Sequence, residues 1–271
     1  MNVQIRMTTG GAMSDLLLTR QRQDVIRDRL AADGRVVAAA LAREFRVSED
    51  TVRRDLREMA AAGLCERVYG GALPVAPSTG TLVQRQGQDG DAKRALARAA
   101  AGFLTGGMTI FIDAGSTNAA VAAALPSGGR FTVVTNAPAI AMAIIPRAGV
   151  ETVLVGGRYD PVIGACLGAR AVSDAEGFRA DLMILGACGI DARAGITAFS
   201  QDEAEFKRRV AAAAGAVMVV ATRDKLGTAA PFAVLPVAGL TRLVTDAGGD
   251  ETLLGALAHA GTDIVRVPLP R

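Results

Sequence analysis

Tryptophan is absent from this 271-residue chain, and aromatic side chains of any kind make up only 4% of it. The interior must therefore be filled mainly by Ala, Val, Leu and Ile, within a hydrophobic content of 50% that excludes disorder as the main state. Histidine occurs once, at His259. That excludes His-rich metal sites and leaves a Ser-His-Asp triad one place for its base, near the C-terminus on an expected helix, where an exposed surface histidine is the plain reading. The three cysteines, Cys65, Cys166 and Cys188, form no C-x-x-C spacing. A disulfide framework and a cysteine zinc site are thereby excluded, and a reducing, cytoplasmic compartment fits. No apolar run reaches the roughly 18 residues that a membrane span needs. Residues 1–18 lack the apolar stretch and cleavage site of a secretory signal and read as a flexible extension, with Met7 or Met13 as alternative starts. Neither G-x-x-x-x-G-K-[ST] nor a strand-following G-x-G-x-x-G occurs, so no nucleotide cofactor is expected, and no metal. Net charge is only +3, which permits an acidic partner without demonstrating one.

Three compositions follow one another along the chain. Residues 19–74 are dense in charge with a helical apolar period. Residues 75–91 are rich in Gly, Pro, Ser, Thr and Gln and read as a linker. From 92 to 271, short apolar runs alternate with Ala-rich helical stretches. In the first block, residues 20–32 form a helix that Asp33-Gly34 ends, and 38–45 form a short second helix. After Arg46-Val47, Ser48 is placed to cap a third helix, with Glu49 and Asp50 in the first turn, where the dipole favours acids. That helix stops at Gly63. A leading helix followed by two short helices across a tight turn is a helix-turn-helix pattern.

The wheel of the third helix separates its faces. Val52, Leu56 and Met59 form a buried stripe, which leaves Asp50, Arg54 and Arg57 opposite and Thr51 and Arg53 on the flanks. Three arginines and a hydroxyl on one short helix suit a DNA major groove, where guanidinium groups bond phosphates or guanine edges. The alternative is a solvated face, since Glu49, Asp50, Asp55 and Glu58 offset the charge. Residues 64–75 read as strand, Gly-Gly turn and strand: either a wing with Arg67 near phosphates or an ordinary hairpin packed on the helices.

The run VSEDTVRRDLREMAAAGLCERVYGGA closely resembles the N-terminal domain of DeoR-type bacterial transcriptional regulators. The matching positions are Val47, Ser48, Thr51, Val52, Arg53, Arg54, Asp55, Leu56, Gly63, Leu64, Arg67, Gly70, Gly71 and Ala72, and the resemblance continues to about Ala247. It implies a winged helix-turn-helix at 19–74, binding double-stranded operator DNA. The expected contact set is Ser48, Thr51, Arg53, Arg54, Arg57 and Arg67. Two positions depart from the pattern: Val37 and Ala38 replace a frequent Ser or Thr cap, and Tyr69 replaces a frequent His.

In the second block, strands are expected at 108–112, 131–134, 151–155, 181–185, 216–220 and 242–245, with helices between them. Short, continuously apolar strands of this kind make a mostly parallel sheet covered on both faces, an α/β fold that binds ligands at the carboxyl ends of its strands. Those ends carry Asp113-Ala114-Gly115-Ser116-Thr117-Asn118, Thr135-Asn136 and Thr222-Arg223-Asp224-Lys225. The DAGSTN loop, with a glycine, two hydroxyls and a helix expected from Ala119, suits a phosphate; a simple capping loop is the alternative. Lys225 would add a cation or be an exposed surface lysine.

This half looks like the DeoR-type sensor domain, whose fold is similar to ribose-5-phosphate isomerase-type enzymes. DAGSTN, VVTNAPAIA, LVGG, the GACGID run, Glu203 with Lys207, and Arg223-Asp224-Lys225 carry that resemblance. It implies a phosphorylated-sugar effector held by Asp113, Gly115, Ser116, Thr117, Asn118, Thr135, Asn136, Gly157, Lys207 and Lys225. Glu203 and Lys207 are four apart on a helix, and for Glu203 a surface ion pair is the preferred reading. The expected function is a transcriptional repressor of a carbohydrate-metabolism operon, acting as a homodimer or homotetramer. One competing reading is a sugar-phosphate isomerase or deaminase with a DNA-binding appendage, using Asp113, Asp181 or Asp246 as base. Another is a DNA-binding protein whose degenerate pocket answers to a protein partner.

Overall fold

The computed structural model describes residues 18–77 and 80–269, so the expected extension at 1–17 lies outside the described residues. The N-terminal part consists of α1 (Thr19–Asp33), β1 (Val36–Val37), α2 (Ala38–Phe45), α3 (Glu49–Ala61), β2 (Glu66–Val68) and β3 (Gly71–Leu73). Ile26, Leu30, Leu41, Phe45, Val52, Leu56 and Met59 close its small core, so the stripe read from the α3 wheel is the buried one. Asp55, expected among the solvated acids, is instead fully buried. It takes a two-point ion pair from Arg22 of α1, with Nε to Oδ2 at 2.6 Å and Nη2 to Oδ1 at 3.0 Å. Three residues past Val52, its side chain stands only about 60° from the stripe, and α1 packs over that flank.

The wing turns at Tyr69-Gly70 rather than at the expected Gly70-Gly71. Gly71 opens β3 because β1 pairs there, and a β-carbon would stand 1.9 Å from the Val36 carbonyl oxygen. Val37 gives α2 no side-chain cap, and the first amide of the helix, Ala38 N, donates to Gly70 O at 2.8 Å.

Residues 75–91, expected as a linker, are packed onto the larger part as far as they are described. Val75 bridges Ala229, and α4 (Leu82–Gln86) buries Leu82 while Leu82 N donates to Val162 O at 3.0 Å. The apolar face of so short a helix is one leucine, too little for a periodicity to reveal.

The larger part runs α5 (Gly90–Ala101), β4 (Thr109–Ile112), α6 (Ser116–Ala123), β5 (Phe131–Thr135), α7 (Pro138–Ile144), β6 (Val150–Leu154), β7 (Arg158–Asp160), β8 (Ala165–Leu167), α8 (Ala169–Ala175), β9 (Leu182–Leu185), β10 (Gly189–Asp191), β11 (Gly195–Ala198), α9 (Gln201–Ala213), β12 (Val217–Val220), β13 (Phe232–Leu235), β14 (Arg242–Asp246), α10 (Glu251–His259) and β15 (Asp263–Val267). Seven strands form one sheet in the order β15-β14-β12-β9-β4-β5-β6, every pairing parallel. All six strands expected from apolar runs lie in it. The antiparallel pieces, β10-β11-β13 and the β7–β8 hairpin, were not legible, since RYD, GID and GITA carry no continuous apolar run.

Strand order decides where a site can form. From β4 the chain moves outward through β5 and β6, then returns to β4's other side for β9 and continues through β12, β14 and β15. The reversal puts the topological switch point between β4 and β9, where crossovers leave on opposite faces and a crevice opens at the carboxyl ends.

Candidate functional site

A cavity of about 310 Å³ lies at that switch point. Its floor is built from three strand ends: 114–118 after β4, 186–188 after β9 and 220–225 after β12. The ends of β4 and β9 approach so closely that a β-carbon on Gly186 would stand 2.5 Å from Ala114 O. α6 begins at Ser116, three residues before its expected start, so Ser116, Thr117 and Asn118 are its first turn. Gly115 is the N-cap, at a φ of +152° that suits glycine, and it supplies no side-chain acceptor. The first amides of α6 therefore keep their donors for whatever enters the cavity, and the helix dipole adds to their pull on an anion.

Behind this floor lies a buried charge cluster. Lys207 of α9 places Nζ 2.6 Å from Glu203 Oε1 and 3.3 Å from Asp113 Oδ2, and donates to Gly186 O at 2.7 Å. Asp113 Oδ2 also accepts from Gly186 N at 2.9 Å. Burial alone would drive the proton off Lys207, but the carboxylates of Asp113 and Glu203 outweigh it and hold the ammonium above its ordinary pKa. Burial pushes the Asp113 carboxyl up, against the pull of Lys207. Glu203 is thus no surface partner: it is 6% exposed. The i, i+4 spacing was read correctly, but the face it occupies is covered by the sheet.

Further cations reach the cavity from outside the sheet. Lys225 lines it half-buried, with Nζ 3.1 Å from Asp224 Oδ2. Arg85, on the segment that joins the two parts, and Lys93, in the first turn of α5, were missed as site residues. Arg85 Nη2 donates to Ile163 O at 3.2 Å; Lys93 Nζ donates to Arg85 O at 2.5 Å and Gln88 O at 2.7 Å. Burial holds the Lys93 ammonium below its ordinary pKa. The one available signal for Arg85 was a basic residue within a Gln- and Gly-rich stretch. Asp89, Asp160, Glu203 and Asp224 add carboxylates to the same walls.

Of the expected effector set, Gly115, Ser116, Thr117, Asn118, Lys207 and Lys225 line the cavity; Asp113, Thr135, Asn136 and Gly157 do not. Asp113 lies beneath it and orients Lys207. Asn118 borders it but spends its amide on Asp113 O at 2.9 Å and Ile184 O at 3.2 Å, stitching β4 to β9. Thr135, Asn136 and Gly157 follow β5 and β6, on the far side of the switch point, beneath the β7–β8 hairpin. Thr135 Oγ1 accepts from Ala137 N at 3.1 Å, and Asn136 Nδ2 donates to Cys166 O at 3.1 Å. A β-carbon on Gly157 would meet Leu167 O at 2.9 Å, so this glycine serves packing.

The carboxylates named for an enzymatic reading also stand away from the cavity lining. Asp181 Oδ2 accepts from Thr109 N at 2.8 Å at the opposite end of the sheet, and Asp246 Oδ1 accepts from Arg223 N at 2.7 Å.

On the N-terminal part, Ser48 caps α3, accepting from Thr51 N at 3.1 Å, and its hydroxyl lies 2.9 Å from Thr51 Oγ1. Arg53 is exposed but tied to Glu49 at 2.8 Å. Arg54, Arg57 and Arg67 are exposed, and none makes an ion pair among the described residues. Tyr69, at the wing turn, is 97% exposed. Exposed guanidinium groups without an ion pair are the kind of donor that bonds phosphates and base edges.

Two family models match the chain: a DeoR-like helix-turn-helix domain over residues 22–77 and a DeoR C terminal sensor domain over residues 88–247. The HTH-type transcriptional regulator GlpR of Haloferax volcanii is 34% identical over 86% of this chain and 92% of its own. The glycerol-3-phosphate regulon repressor of Escherichia coli is 31% identical over 84% of this chain and 90% of its own. Among solved structures, ribose 5 phosphate isomerase A from Neisseria gonorrhoeae superposes on 50% of this chain and 52% of its own at 18% identity and a TM-score of 0.37.

Proposed function

The chain belongs to the DeoR family of DNA-binding transcriptional regulators, and from that premise we propose that it represses a carbohydrate-metabolism operon under control of a phosphorylated sugar or polyol. The observation that carries the reading is the mixed lining of the switch-point cavity. A phosphorylated polyol needs donors for its phosphate and acceptors for its hydroxyls. The first turn of α6 with Lys225 supplies the former, and Asp89, Asp160, Glu203 and Asp224 the latter. The volume lies at the small end of the ~300–1,000 Å³ usual for ligand cavities, which suits a small metabolite. Arg54, Arg57, Arg67 and Thr51 are the proposed DNA contacts, with α3 in the major groove. A homodimer would present two such helices to half-sites about one helical turn apart.

Release from DNA requires the ligand to favour one state over the other. A hundredfold loss of operator affinity needs about 2.7 kcal/mol of differential binding, within reach of one phosphate held by several amides and an ammonium. The test is a thermal-shift screen of sugar phosphates that includes glycerol 3-phosphate, since one relative is named for that regulon. A compound should raise the melting temperature of the native chain and lose that effect in both Ser116→Ala and Lys225→Ala. A stabilising compound indifferent to both substitutions would place the ligand elsewhere.

A further inference from the structure

The stretch between β12 and β13 borders two spaces at once. Thr222, Asp224 and Lys225 line the effector cavity. Leu226, Gly227 and Thr228 line a second space, a cleft of about 1070 Å³ whose opposite wall is the winged domain, with Leu30 of α1, Val68 of β2 and Leu73 of β3. Hydrogen bonds tie this stretch along its length. Gly227 N donates to Ile190 O of β10 at 2.8 Å, and Thr228 Oγ1 donates to Lys225 O at 3.0 Å, clamping the turn that carries the ammonium. Ala229 then pairs with the chain leaving the wing: Ala229 N donates to Pro74 O at 3.3 Å, and Ala76 N donates to Ala229 O at 2.8 Å. The β10–β11 turn reaches the same wing, where Arg193 Nη1 lies 3.9 Å from the position a β-carbon would take on Gly70.

We infer that residues 222–229 are the relay through which occupancy of the cavity repositions the wing. The inference rests on the reading of the cavity as an anion site that engages Lys225. An anion there competes with Asp224 for the ammonium, and the Thr228 hydroxyl passes any shift of the Lys225 carbonyl to the backbone that pairs with 74–76. The stretch cannot retreat onto β10. The Thr228 carbonyl already packs against Gly189, where a β-carbon would stand 2.6 Å away. Displacement is therefore directed into the open cleft, towards the winged domain. Lys225 and Ala229, which pairs with the wing exit, stand only four positions apart in sequence, so the route needs no long chain of side chains.

The test is amide hydrogen exchange on the full chain, with glycerol 3-phosphate as probe and Lys225→Ala as a ligand-free perturbation of the cavity. Probe binding should change exchange at Gly227, Ala229 and Ala76 by about fivefold or more, the lower bound of ordinary coupling. Thr228→Val should bind the probe with unchanged affinity by calorimetry yet lose the response at Ala76. A bound probe that leaves Ala76 unmoved in the native chain, or a response that survives Thr228→Val, overturns the relay. If the probe does not bind, the cavity reading fails for this ligand, and Lys225→Ala alone decides the relay. Altered exchange at Ala76 in that variant sustains it, and unaltered exchange overturns it.

Discussion

Two buried carboxylates converge on one ammonium at Lys207, and that imbalance governs what the residue can tolerate. Asp113 is 1% exposed, Glu203 6% and Lys207 2%, so the outer surface offers none of the three compensating solvent. Lys207→Met should therefore destabilise the fold by about 3–5 kcal/mol in urea unfolding, because it strands two buried anions rather than one weak contact. The pH dependence has a definite sign. Burial already raises the Asp113 pKa, and loss of Lys207 raises it further. Between the ordinary carboxylate range and that raised value, the folded variant holds more protons than the unfolded chain. Its stability must then rise as pH falls, and the deficit at pH 7 should shrink towards pH 5. A deficit independent of pH would mean that the carboxylates stay ionised without Lys207. The sequence showed Glu203 and Lys207 on one helical face but not that the face is covered, since identical spacing serves exposed pairs.

At the scale of one element, α3 carries stability and the proposed DNA contacts on different sides. Asp55 faces α1 and is locked to Arg22, whereas Arg54, its neighbour in sequence, faces solvent without an ion pair among the described residues. Asp55→Ala should cost about 3–5 kcal/mol of stability, because Arg22 keeps its charge in a buried place. Arg54→Ala should leave the melting temperature unchanged and weaken operator binding by about 1–3 kcal/mol at fixed salt, read by fluorescence anisotropy. Equal effects of the two variants on stability, or none of Arg54→Ala on binding, would contradict this division. The helix, its cap at Ser48 and its buried stripe were readable because a 3.6-residue period acts within thirteen residues. The place of Asp55 was not, because it depends on which flank of the stripe α1 covers.

For the molecule as a whole, the proposed coupling between cavity and wing must be reciprocal. If a phosphorylated ligand weakens operator binding by some factor, saturating operator must weaken that ligand by the same factor. Calorimetric titration of ligand into the free chain and into the chain–operator complex should return equal ratios. Unequal ratios would show that ligand and operator engage different oligomers. The described contacts suit such coupling, since α4 with its flanking residues walls the cavity while the backbone just before it pairs with Ala229.

What the chain's order of residues determined by itself is local: a helix-turn-helix with an arginine-bearing third helix, six apolar strands, and a glycine-, serine- and threonine-bearing turn at the head of a helix. Each is set by interactions within about a dozen neighbours, so each leaves a period or a cap in the sequence. Only the tertiary structure decided which strand ends meet. The reversal between β4 and β9 brings Ser116, Lys207 and Lys225 to one cavity and leaves Thr135, Asn136 and Gly157 on the far side of the switch point. Packing of α4 and α5 also brings Arg85 and Lys93 into the wall of that cavity. Strand order is fixed by the burial of whole faces against one another, a sum over distant residues that no local pattern records.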